Sequence, residues 1–253
     1  MRAVAAAGAL LLAGCAGELS TLDPAGPAAA RVATLWWVML GGAVVILTGV
    51  VGTALYALRR VARQRTFSEG RVLIGWGLVF PVVTLLALMA FAFLRGEQLL
   101  GRGDPADQPL RAHSQQWSWT FGYPGGEQTS QILHVPSGQE FTLAITSGDV
   151  IHSFWVPRLG GKMDAIPGKT NQLRLQADQP GIYRGVCAEY CGLGHAHMQF
   201  EVHAHLPEDY PAALASAAEV VADPLPVLEQ RPAPVGTLIG RWADYLLDWL
   251  GVT

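Results

Sequence analysis

The sequence predicts a two-helix transmembrane hairpin followed by an all-β sandwich, with short helices at the C-terminal end. Three observations predict it. Residues 32–58 and 72–94 form runs of 27 and 23 positions without a charge, each long enough to cross about 30 Å of hydrocarbon as a helix. Residues 108–205 break into short β-type runs divided by turn signals. Charged residues make up only 15% of the 253-residue chain and hydrophobic ones 51%, where a soluble domain carries about 25% charge. That composition excludes a purely soluble enzyme, a transporter of many helices and a disordered chain. A net charge of −3 with two lysines gives no footprint for nucleic acid.

The first segment, residues 1–15, reads as a targeting sequence. Met1-Arg2 precedes an apolar stretch ending in Leu12-Ala13-Gly14-Cys15, which resembles a bacterial lipobox with Cys15 as the acylated residue. An ordinary small-residue cleavage site is the alternative. Residues 32–95 form the hairpin. Its loop holds Arg59, Arg60, Arg63, Arg65 and Arg71 against Glu69, so the positive-inside rule keeps the loop in the cytoplasm and sends the rest outside. The following domain then works in an oxidising, extracytoplasmic compartment. Trp36-Trp37 suits the interfacial belt at the outer end of the first span. Pro81, inside the second run, should kink that helix or mark a site braced by a neighbouring helix. A hairpin this small packs against a larger integral partner.

Residues 108–206 form the β domain. Strands are expected at 115–123, 131–135, 141–146, 150–156, 172–176 and 182–186, bounded by turns such as Pro136-Ser137-Gly138 and Pro180-Gly181. Short strands at this spacing mean an antiparallel sandwich or barrel. Residues 207–253 hold an alanine-rich helix at 208–221, a linker with Pro224, Pro226, Pro232 and Pro234, and an amphipathic helix at 237–250. There is no internal repeat.

The chemistry lies in one loop running from Cys187 to Met198. Two Cys, a His and a Met within twelve residues are soft ligands that favour copper. Gly192 and Gly194 allow a tight turn, and His152 is the natural second imidazole. A disulfide, zinc or a mononuclear blue-copper site compete as readings. Zinc takes Met poorly, and a blue-copper site leaves one Cys surplus. Two thiolates serve two coppers that share charge.

Cys-x3-Cys-x3-His-x2-Met, preceded by Asp149-Val150-Ile151-His152-Ser153 and Met163-Asp164-Ala165-Ile166-Pro167-Gly168, resembles subunit II of the haem–copper cytochrome c oxidases over roughly residues 32–205. The resemblance implies a cupredoxin-like sandwich holding two copper ions, the CuA centre. That centre takes electrons from cytochrome c and hands them to haem in subunit I, in the bacterial cell membrane, for oxygen reduction coupled to proton translocation. It implies Cys187 and Cys191 as bridging ligands, His152 and His195 as terminal ones, Met198 as the weak thioether, and Glu189 through its backbone carbonyl. The Glu189 side chain would reach a magnesium ion shared with subunit I. Trp117 would be where the electron enters, with plain core packing as its alternative. Acids near that face would steer a basic cytochrome, and the rate would then fall with salt.

Two departures stand out. Near Trp76 there is no acid of the kind many relatives use to open a proton path, Glu69 being the nearest. The chain also has no Cys-x-x-Cys-His for a fused cytochrome. A membrane-tethered copper-delivery protein and a quinol oxidase subunit II, whose members lack the copper ligands, are the competing functions. His197 could rival His195, but the motif spacing selects His195. His203 and His205 share one side of a strand and read as a surface pair more than a chelate, and His113 and His134 as structural or exposed.

Overall fold

Pro27 occupies the first helical position, where a missing N–H costs nothing, and opens α1 (Pro27–Arg60). The computed structural model describes residues 15–60, 69–96 and 109–218. The second apolar run forms α2 (Glu69–Ile74), a π turn (Gly75–Val79) and α3 (Phe80–Gly96) in direct succession. The expected disturbance at Pro81 takes the form of that turn. Pro81 offers no N–H to the Gly77 carbonyl and its ring would collide with it. The π turn absorbs the mismatch, and the Phe80 amide donates to the Gly75 carbonyl, five residues back. Pro27–Arg59 and Val72–Leu94 are long and apolar enough to cross a membrane.

The β domain packs two five-stranded sheets. The first has the order β3 (Gln128–Ser130), β2 (Ser118–Gly122), β1 (Leu110–Gln115), β5 (Glu140–Ser147), β8 (Asn171–Gln176). The second runs β4 (Ile132–Pro136), β10 (Gln199–His205), β9 (Gly181–Cys187), β6 (His152–Trp155), β7 (Met163–Ala165). Each strand with period-two burial faces one side inward. In β10, Phe200, Val202 and Ala204 are buried while Glu201, His203 and His205 turn outward. Trp119 and Phe121 from the first sheet meet Phe154 and Phe200 from the second, with ring centroids 5.5 to 6.4 Å apart. Gly185 lies opposite Phe200 in the β9–β10 register; a Cβ there would fall on the Phe200 ring, so only glycine lets that ring cross to the core.

Three differences from the sequence expectation have physical causes. The aromatic run 115–123 is not one strand, because it reverses at Gln116–Trp117 to form the β1–β2 hairpin. Trp119 and Phe121 drop into the core, while Trp117 sits at the corner and stays 40% exposed. Two pairings, β1 with β5 and β4 with β10, are parallel, since the chain leaves each sheet and returns to it. The helix after β10 is α4 (Tyr210–Ala217), two residues later than expected, with Pro211 in its first turn. The targeting stretch before Cys15, Arg63 and Arg65 of the loop, the proline linker and the amphipathic helix at 237–250 lie outside the described residues.

The segment before α1 is fastened to the β domain. Ala25 donates to the Arg158 carbonyl at 2.7 Å and accepts from the Asp178 amide at 2.9 Å. Arg158 pairs with Asp23 at 3.1 Å, and Ala28 and Ala29 are buried. The start of the first helix is thereby set against the β domain.

Candidate metal centre

Three segments build the site: the β9–β10 loop, the first residue of β6, and the β1–β2 corner. The Cys187 amide donates to the Met198 carbonyl at 3.0 Å, closing the loop on itself. The Ala188 amide donates to the Ser153 carbonyl at 2.9 Å, tying the loop to β6. Gly192 adopts φ +114°, a region that disfavours side chains. Gly194 lies under the Trp117 indole, where a Cβ would overlap the ring.

Within this frame the expected donors converge. The Cys187 and Cys191 sulfurs lie 3.8 Å apart, too far for the roughly 2.05 Å bond of a disulfide, and both are buried and free. His152 Nδ1 is 3.8 Å from the Cys187 sulfur and 3.2 Å from the Met198 sulfur. Cys191 Sγ is 3.6 Å from His195 Nδ1 and 3.7 Å from Met198 Sδ. The Glu189 carbonyl oxygen points into the same space, 3.2 Å from Cys187 Sγ. Among the described residues, His152, Cys187 and Cys191 bring their ligand atoms within 4.8 Å of one another. His197, on the same 3-10 turn as His195, is exposed.

The electrostatics fit a cation. Burial, and after it the neighbouring Cys187 sulfur, push the Cys191 thiol up to about 12. Two thiolates this close cannot both form without a positive charge between them, and thiolate, imidazole and thioether together select copper. The residues present therefore fit a copper site.

Two contacts that support the site were not part of the sequence expectation. Asp149 Oδ1 lies 2.9 Å from His152 Nε2, so Nε2–H donates to the carboxylate and Nδ1 keeps its lone pair for the donor cluster. Burial alone would raise the Asp149 carboxyl. The bonds from His152 and from the Gln116 and Val150 amides outweigh it and hold the group below the usual carboxylate range. Gln116 Nε2 and Trp117 Nε1 both donate to the Cys191 carbonyl, at 2.7 and 3.2 Å. The Trp117 ring is therefore one hydrogen bond from a candidate ligand. Only the interval of three residues from Asp149 to His152 hinted at the first contact, and nothing hinted at the second.

The Glu189 carboxylate turns away from the donors and pairs with Lys162 at 3.3 Å, which also holds Asp164 at 3.1 Å. Around the loop, Trp117, Val150, Ile151, Tyr190 and Leu193 are exposed. Among the described residues the acids beside this face are Asp149, which bonds His152, and Glu189, which shares Lys162 with Asp164. Cys15 opens the described N-terminal segment and is half-buried, its carbonyl accepting from Ser20 Oγ at 2.7 Å.

Comparison with known proteins gives a consistent family. The model for cytochrome c oxidase subunit II, periplasmic domain, matches residues 127–205. Cytochrome c oxidase subunit 2 of Alkalihalophilus pseudofirmus is 31% identical over 245 residues, covering 88% of this chain and 69% of that protein. Quinol oxidase subunit 2 of Bacillus cereus is 31% identical over 215 residues, covering 79% and 74%. Among solved structures, the periplasmic domain of subunit II of the Bradyrhizobium japonicum cytochrome oxidase aligns at 28% identity with a TM-score of 0.42, over 45% of this chain and 94% of that one.

Proposed function

The chain belongs to the cytochrome c oxidase subunit II family of the haem–copper oxidases, and from that premise we propose that it is the subunit through which electrons from a cytochrome c reach the oxidase. As a subunit II it works with other oxidase subunits. The observation that carries the reading is the convergence of Cys187, Cys191, His152, His195, Met198 and the Glu189 carbonyl in one cluster, with both Cys, His152 and Met198 buried. That donor set also favours the cytochrome c reading over a quinol oxidase, to which the chain is equally similar in identity.

In this reading Cys187 and Cys191, together with His152 and His195, would hold a pair of coppers. The bound copper supplies a one-electron relay to haem in subunit I, for oxygen reduction coupled to proton translocation. The protein contributes rigidity: Asp149 fixes the His152 ring, the β9–β10 clasp fixes both sulfurs, and burial keeps water from the donors. Trp117 is the residue through which the electron enters, because its indole is partly exposed and bonded to the Cys191 carbonyl. Glu189 would give up Lys162 to hold magnesium at the boundary with subunit I; Glu189→Gln should then spare copper and change manganese occupancy in the assembled complex. The domain faces the extracytoplasmic side and the arginine loop the cytoplasm, with residues 1–14 removed to leave an acylated Cys15 as the N-terminus. An intact mass beginning elsewhere would reject the acylation.

Copper content and electron spin resonance of the full chain test the central claim. Two copper ions per chain and one unpaired electron shared over two equivalent nuclei are expected, with collapse to a mononuclear signal in Cys191→Ser. A single copper in the unmodified chain overturns it.

A further inference from the structure

A second cluster of metal-binding side chains lies on the outer face of the other end of the same sheet. β4 and β10 run parallel, and their register sets His134 beside His203, with His205 two residues further along β10. Strand alternation turns Glu201, His203 and His205 outward together. The three imidazoles form a triangle, with ring centroids 5.1 Å (His134–His205), 5.5 Å (His134–His203) and 6.4 Å (His203–His205) apart. With metal–nitrogen bonds of about 2.0–2.1 Å, three imidazoles around a tetrahedral ion place their centroids roughly 5 Å apart. His134 Nδ1 and His205 Nε2 already face each other at 2.8 Å in nearly coplanar rings. His203 Nε2 rests on Glu201 Oε2 at 2.7 Å.

We propose that His134, His203 and His205 form a second metal site, distinct from the copper loop, for a divalent cation that prefers imidazole, such as Zn2+ or Cu2+. His134 is the fixed ligand, because it is only 6% exposed and its backbone amide is held by the Tyr123 hydroxyl at 2.8 Å. His203 and His205 are more exposed and supply the movement. The His205 ring tilts so that both lone pairs converge on the ion instead of sharing one proton. His203 rotates off Glu201, and the carboxylate is then free to follow as a fourth ligand or to balance the charge. Burial, and after it the adjacent imidazoles, keep His134 deprotonated down to about 4, so its lone pair is open at neutral pH. His205 is lowered in the same sense, against the opposing pull of Asp209. The site does not depend on the copper reading, since none of its residues belongs to the copper loop.

Equilibrium dialysis against Zn2+ tests it, using the full-length, copper-loaded chain in detergent with elemental analysis of both metals. One zinc per chain is expected, and the same one in Cys187→Ser, where the copper site is broken. His205→Ala and His203→Ala should each lower zinc affinity by at least about tenfold, and the double variant should bind no stoichiometric zinc while keeping its copper spectrum, which reports an intact fold. No stoichiometric zinc in the unmodified chain, or zinc retained by the double variant, overturns the proposal.

Discussion

The residue with most control over the copper pocket is not itself a ligand. Asp149 accepts from His152 Nε2 and from the amides of Gln116 and Val150, joining the ligand strand to the corner that carries Trp117. Asp149→Ala strands those donors, at about 1–3 kcal/mol, and frees the His152 ring. Copper should then be lost to a chelator about 10–100-fold more readily, whereas Asp149→Asn, which still accepts from His152, should fall between; equal retention in all three would mean His152 needs no orienting partner. Gly194 offers the complementary test. An added Cβ meets the Trp117 indole and must displace it, so Gly194→Ala should slow oxidation of reduced cytochrome c while leaving the copper spectrum near normal, as Trp117→Leu should. Parallel loss of spectrum and rate in both variants would make Trp117 a packing residue.

At the scale of elements, legibility followed the strength of local pattern. The two spans could be read because a charge-free run of helical length has few other uses, and the copper loop because its donors are contiguous. The corner at Gln116–Trp117 was hidden: alternating aromatics look like one strand, and only tertiary packing shows that Trp117 belongs to neither face. The role of Asp149 was hidden likewise, since a carboxylate near a turn is ordinary until its partner is placed. The pairing of His134 with His205 was hidden because parallel strands 71 positions apart in sequence leave no local trace. That pairing has a consequence for stability. His134 stays neutral in the fold down to about 4, while an unfolded His takes its proton near 6.5. Between those values the unfolded chain binds the extra proton, so stability should decline as pH drops from about 6.5 toward 4, by up to about 3 kcal/mol for this group. His203, His205, Glu201 and Asp209 surround it, and His205, lowered by burial in the same direction, adds to that slope. Denaturant titrations with metal chelated should show the decline, and His134→Gln should flatten it; an unchanged slope would place the acid sensitivity elsewhere.

Across the whole molecule, the face that presents Trp117 determines how a donor arrives. Trp117, Val150, Ile151, Tyr190 and Leu193 surround the copper loop, with Leu193 93% exposed. Asp149 keeps its negative charge beside a neutral His152, and Lys162 balances only one of Glu189 and Asp164. Further round the domain Glu140 is paired with Arg174, and Glu18 with Arg184. A positive donor would therefore meet some uncompensated negative charge beside this patch, while contact itself would be made through apolar area. Long-range steering gives association rates that fall steeply with ionic strength, whereas apolar docking does not. Reduction of the copper centre by cytochrome c should accordingly fall with salt, by about threefold between roughly 20 and 200 mM, where a strongly steered pair loses about tenfold or more. Leu193→Asp, which places a charge at the most exposed apolar position, should slow reduction at high salt through desolvation and restore part of the rate at low salt if the donor is basic. A steep salt dependence in the unmodified chain would sink the apolar account and assign the steering to acids beyond this face.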